Sequence, residues 1–89
     1  MMKKIKKDLI LLKNLIIEND PIGIIDGGAP DDEYDSTILQ VLSKINKINK
    51  EDQIADIIKE LFTRDFGRDY VNGILCKKIA HEFLIKRTE

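Results

Sequence analysis

Apolar residues recur at helical spacing in separate stretches of this chain. In the first, Ile5, Leu9, Leu12 and Ile16 fall at i, i+4, i+7 and i+11, the spacing of one buried stripe, which Leu15 widens. That pattern predicts a helix over 2–18. Ile10, Leu11 and Ile17 lie off the stripe, so cover is expected on more than one side. Pro21 ends this helix, because a proline pushes the residue before it out of the helical region. A second helix is predicted near 33–46, with Tyr34, Ile38, Val41, Leu42 and Ile45 on its apolar face. Asp32 is its expected N-cap, and Glu33 and Asp35 complement the positive end of its dipole. The third, near 50–66, has the cleanest stripe: Ile54, Ile57, Ile58, Leu61 and Phe62, continued by Phe66.

Asn49 is the expected cap of that third helix and Gly67 its expected stop. Glu60 and Arg64 are ordered for an exposed i,i+4 pair. The Lys-Ile-Asn repeat at 44–50 reads as a fraying end and a linker. The last helix is predicted near 70–87, with Val71, Leu75, Ile79 and Phe83 on one stripe and Cys76, Ala80 and Leu84 on a second. Asn72-Gly73 is able to delay its start by a turn, with Asn72 as the cap. Ile5, Leu9, Leu12, Ile38, Leu42, Ile54, Ile58, Leu61, Phe62, Leu75, Ile79 and Phe83 are expected to be mostly buried.

No strand-like alternation occurs, although Ile22-Gly23-Ile24-Ile25 is compatible with an extended run. The expected fold is all-α: a compact four-helix bundle, one domain over 1–89, with one long acidic loop between helices 1 and 2. Asp20-Pro21-Ile22-Gly23 carries type I turn chemistry, with Asp, Pro and Gly at i, i+1 and i+3. Asp26-Gly27-Gly28 supplies a second bend.

Charge refines this picture. The chain has 89 residues, 15 basic and 16 acidic, for a net charge of −1, so no global field favours nucleic acid or an anionic membrane. The signs are unevenly placed. Lys3, Lys4, Lys6 and Lys7 crowd the start, while Asp26, Asp31, Asp32, Glu33 and Asp35 crowd the loop. Residues 2–17 have a basic start and an apolar middle, but Lys13 and Asn14 break the run and no small-residue cleavage site follows. A lone Cys76 permits no intramolecular disulfide and fits a reducing cytoplasm.

Candidate chemistry centres on the loop. Asp26, Asp31, Asp32, Glu33 and Asp35 offer oxygens to a hard cation, but without EF-hand spacing they are expected to cap a helix and stay solvated, with no metal site. Asp20 can pair with Asp35 as acid and base, or simply organise its own turn. Tyr34 is expected to bury its ring and bond the loop backbone through its hydroxyl, the other option being a hydroxyl that faces a ligand. His81 lacks a second His or a Cys–His spacing, so no metal role is expected of it. Cys76 falls on an apolar stripe and reads as an inert thiol.

The ordered set Asp-Pro-Ile-Gly at 20–23, Asp-Glu-Tyr-Asp at 32–35, then Ile54, Ile57, Ile58, Phe62, Phe66, Gly67, Cys76, Ile79 and Ala80 resembles the YugE-like family of small uncharacterised bacterial proteins. The resemblance spans nearly the whole chain and implies an all-helical fold. It brings no activity, ligand or catalytic residue. Family members often carry a Trp immediately before the Asp-Pro, whereas this chain has Asn19, so an aromatic anchor there is missing. The paired loop motifs are also similar to those of small proteins near bacterial toxin genes, which implies an immunity-like or antitoxin-like role.

Two readings of function follow. The first is a cytoplasmic protein-binding module, not an enzyme, that uses Asp20, Pro21, Gly23, Asp31, Asp32, Glu33, Tyr34 and Asp35 against another protein, with no cofactor, nucleic acid or membrane. The second is a small-ligand-binding protein or minor enzyme using Asp20, Tyr34 and Asp35 in a shallow pocket. Neither a nucleophile–base pair nor a phosphate-cradling glycine loop supports the second.

Overall fold

The computed structural model describes residues 2–20, 34–67 and 71–87, with side chains from residue 7 onward in the first segment. It is an all-α bundle of four helices: α1 (Met2–Asn19), α2 (Asp35–Ile45), α3 (Glu51–Phe66) and α4 (Gly73–Arg87). Each helix packs on the next, and α4 closes the ring against α1, with α3 on α4 the most extensive pairing. The radius of gyration is 12.0 Å, close to the ~12 Å that compact chains of this length adopt. Among the described residues no helix is long and apolar enough to cross a membrane.

The stripes of α2 and α3 lie where their periodicity puts them. Ile38, Val41, Leu42 and Ile45 of α2 and Ile54, Ile58, Leu61 and Phe62 of α3 are all buried. Helix α1 keeps the later part of its expected face. Leu12, Leu15 and Ile16 are buried and Leu9 is only half-buried, while Asp8, one turn before Leu12, is 5% exposed. Of the three residues off the stripe, Ile10 stays 52% exposed, whereas Leu11 and Ile17 are half-buried. On α4 the core line runs between the two expected stripes, through Cys76, Ile79, Ala80 and Phe83. Leu75 is therefore half-buried and not core. The small Cys76 and Ala80 side chains suit a helix that packs against both α3 and α1. The side chain of Ile5 lies outside the described residues.

Helix ends show what local sequence encodes and what it does not. Gly67 stops α3 with φ 102° and donates its N–H to Thr63 O at 2.9 Å, a conformation that favours glycine. Asn72 caps α4, its Oδ1 accepting from Ile74 N at 3.0 Å and Leu75 N at 3.2 Å, so the later of the two predicted starts is adopted. Helix α2 begins at Asp35, two residues late, with Tyr34 at the N-cap. Asp32, expected there, lies outside the described residues, as do the turn at 21–23 and the bend at 26–28. Asn49 does not cap α3. Lys50 occupies the N-cap without a side-chain bond, and Asn49 Oδ1 accepts from Arg87 Nη2 at 3.0 Å instead.

Arg87 also corrects the expected fraying at 44–50. Its guanidinium donates to Ile45 O at 3.3 Å and to Ile48 O, carbonyls at and just past the end of α2. The same cation stands 5.1 Å from the Phe83 ring centroid. Ile48 N bonds Ile45 O at 3.0 Å, and the Ile48 side chain packs partly on the core. The α2–α3 connection is thus clasped from the end of α4.

Candidate functional site

Tyr34 holds the two ends of the acidic segment together. It sits at the N-cap of α2, where its side chain reaches the C-terminal half of α3. Its ring meets Phe62 edge-on at 5.3 Å between centroids and Phe66 at 5.5 Å, and those two phenylalanines stack at 5.7 Å. Aromatic pairs in this geometry add about 0.5–1.5 kcal/mol beyond area burial. The ring has no solvent exposure, and its hydroxyl donates to Asp20 Oδ1 at 2.7 Å. This acceptor is a side chain at the α1 exit; the loop backbone at 21–33, where a bond was expected, lies outside the described residues. Tyr34 joins the end of α1, the start of α2 and the end of α3.

Asp20 takes an unusual backbone to do this. Its φ is 47°, left-handed, while its N–H still bonds Ile16 O at 2.7 Å as the last turn of α1. Aspartate tolerates this region better than most residues. Proline at the next position forbids the helical alternative, which explains why α1 ends here. Asn19 folds back to donate from Nδ2 to Leu15 O at 2.7 Å.

Asp35 forms a second tie. It lies in the first turn of α2, and Lys13 Nζ of α1 stands 2.9 Å from its Oδ1. Both side chains are about a third to a half exposed, at 35% and 45%, so the pair is worth at most about 1 kcal/mol. Its value is positional. Asp20 and Asp35 each have a different partner, and neither is paired with the other as an acid–base set would require.

A third tie joins α2 to α3. Thr37, 2% exposed on the apolar face of α2, donates its hydroxyl to Asp65 Oδ2 at 2.6 Å. Arg64 Nε bonds Asp65 Oδ1 at 2.8 Å, and Arg64 Nη2 reaches Gln40 Oε1. The Arg64 hydrogen bond, then that of Thr37, holds the Asp65 carboxyl below the usual carboxylate range. Arg64 is thus engaged by Asp65 and Gln40, where an i,i+4 pair with Glu60 was expected. On α3 and α4, His81 Nδ1 lies 2.6 Å from Glu51 Oε1 at the surface. Burial pushes the Cys76 thiol up to about 11, against a weaker opposing effect of Lys59, so it is a poor nucleophile.

Of the eight residues singled out in the sequence, Asp20, Tyr34 and Asp35 are described, and they cluster where α1, α2 and α3 meet. Pro21, Gly23, Asp31, Asp32 and Glu33 lie outside the described residues. Sequence reasoning passed over Lys13, Thr37, Asp65 and Arg87. Thr37 alone left a signal, a hydroxyl in register with Tyr34 and Val41 on an apolar face. Among the described residues no three His, Cys, Asp or Glu side chains gather as a metal site would. Comparison with protein families, curated proteins and solved structures gives no match. The geometry of this chain alone therefore carries the functional argument.

Proposed function

We propose that this chain is a small cytoplasmic protein-binding module, regulatory or immunity-like, that meets a basic partner through residues 20–35. One observation carries the reading. The segment holding Asp26, Asp31, Asp32 and Glu33 is tied at both ends to the helical core, by Tyr34 on Asp20 at 2.7 Å and Lys13 near Asp35 at 2.9 Å. Fixing the ends of a charged segment lowers the ordering cost of binding through it, and its acids speed encounter with a cationic surface. The buried Tyr34, with its hydroxyl already donated to Asp20, weighs against the alternative of a ligand pocket built from Asp20, Tyr34 and Asp35. Kinship with the YugE-like family belongs to the same proposal and rests on the sequence motifs, those of the loop and those that follow through Ala80.

The test is the triple variant Asp31→Asn, Asp32→Asn, Glu33→Gln. Its melting temperature is expected to stay near that of the parent, because acids that serve a partner and have no partner in the fold contribute little stability. Affinity capture from the native cell is expected to lose its partner, and the parent's yield to fall with added salt. Recovery of the same partners at the same yield by the variant would refute the reading.

A further inference from the structure

A cleft of about 410 Å³ opens between α3 and the first turn of α4; Asp56, Lys59, Gly73, Ile74, Cys76 and Lys77 are among its lining residues. Its electrostatics are unbalanced. Lys59 and Lys77 face a single lining acid, Asp56, and among the described residues neither ammonium has an ion-pair partner. The first turn of α4 holds no acidic residue to offset the positive end of that helix. Beside these cations stands Ile74, 80% exposed and the most exposed large apolar side chain described.

Gly73 sharpens the point. A Cβ there would meet only the flexible end of Lys59, at 3.7 Å, an ordinary contact. An alanine would fit and would favour the helix. The missing side chain leaves Gly73 backbone at the cleft lining, with the end of Lys59 beside it.

We propose that this cleft is a docking site for an acidic peptide segment of a partner protein. One carboxylate lies between Lys59 and Lys77 above Gly73, and a neighbouring apolar side chain rests on Ile74. Charge complementarity selects the occupant: uncompensated cations beside an exposed apolar side chain match a chain that alternates acids with an aliphatic residue. This inference does not rest on the acidic segment of the proposed function, and either can fail without the other.

The experiment uses the full chain and a labelled synthetic peptide of four glutamates around one leucine, followed by fluorescence anisotropy and amide shift mapping. Saturable binding at about 0.02 M salt is expected, weaker at about 0.15 M as exposed charges are screened. The largest shifts are expected at Gly73 and Ile74. The pair Lys59→Glu, Lys77→Glu is expected to weaken binding at least about tenfold, while Lys44→Glu, Lys47→Glu, the same charge change elsewhere, alters it less than about twofold. Gly73→Ala is expected to weaken binding without lowering the melting temperature. The proposal fails if no saturable binding occurs, or if both charge-reversed pairs lose affinity equally. It also fails if inorganic phosphate alone reproduces the shifts, which would make this a free-anion site. Shifts that grow with protein concentration in the absence of peptide would assign the cleft to a second copy and equally overturn it.

Discussion

Tyr34 is the residue on which the loop anchorage turns, because a buried hydroxyl must find a partner and its partner is charged. A hydrogen bond to an ionised acceptor contributes about 1.5–3 kcal/mol, and Asp20 is half-buried, which places this one near the lower end. Tyr34→Phe is expected to cost about 1–2 kcal/mol in chemical unfolding, because the ring contacts with Phe62 and Phe66 survive. Asp20→Gly removes the acceptor but relieves the left-handed backbone at φ 47°, so its own cost is expected to be smaller. Combining the two in a double-mutant cycle isolates the bond. A coupling of about 1 kcal/mol or more is expected; one indistinguishable from zero would mean that the bond does not anchor the segment.

At the scale of elements, Arg87 shows how the end of one helix completes another. The carbonyls that close α2 have no intrahelical donors, and the guanidinium from the last residue of α4 supplies them while resting over Phe83. Its planar fork reaches Ile45 O, Ile48 O and Asn49 Oδ1 together, a geometry that a lysine ammonium cannot match. Arg87→Ala is expected to lower stability by about 1.5–3 kcal/mol, and Arg87→Lys to recover less than half of the loss. Hydrogen exchange is the more specific readout. Protection at Ile48 N, bonded to Ile45 O, is expected to fall more than protection within α3. Equal loss at both places would show a global effect with no clasp.

For the whole molecule, the Thr37–Asp65–Arg64 contact makes stability depend on pH. The folded-state pKa of Asp65 is lowered, so its contribution is fully present above the ordinary carboxylate value of about 3.9. It is lost as pH falls through the lowered value. Thr37→Val removes one of the two hydrogen bonds that lower it. The carboxyl of Asp65 is then expected to titrate at higher pH by NMR, and the acid limb of the stability curve to move up with it. An unchanged titration would mean that Arg64 alone holds the carboxylate.

What the sequence settles by itself is local. Period-3.6 spacing determines that there are helices, their order, and the buried faces of α2 and α3, because an apolar stripe must be covered whatever covers it. Gly67 and Asn72 mark their helix ends through backbone and side-chain chemistry that acts within a few residues. Tyr34 is legible as buried because it lies in register with Ile38. Choices between nearly equivalent local options are left to tertiary packing. On α1, apolar residues occupy most angles, so neighbouring helices decide which residues beside the stripe are covered, burying Asp8 and exposing Ile10. At Asn49, an adequate cap is drawn off by Arg87, whose side chain arrives from 38 positions away. The acceptor of Tyr34 is 14 residues distant. Periodicity records which face of a helix avoids water, but the partner of a buried polar group is fixed only when separate helices meet, because that bond joins chain segments with no local constraint between them.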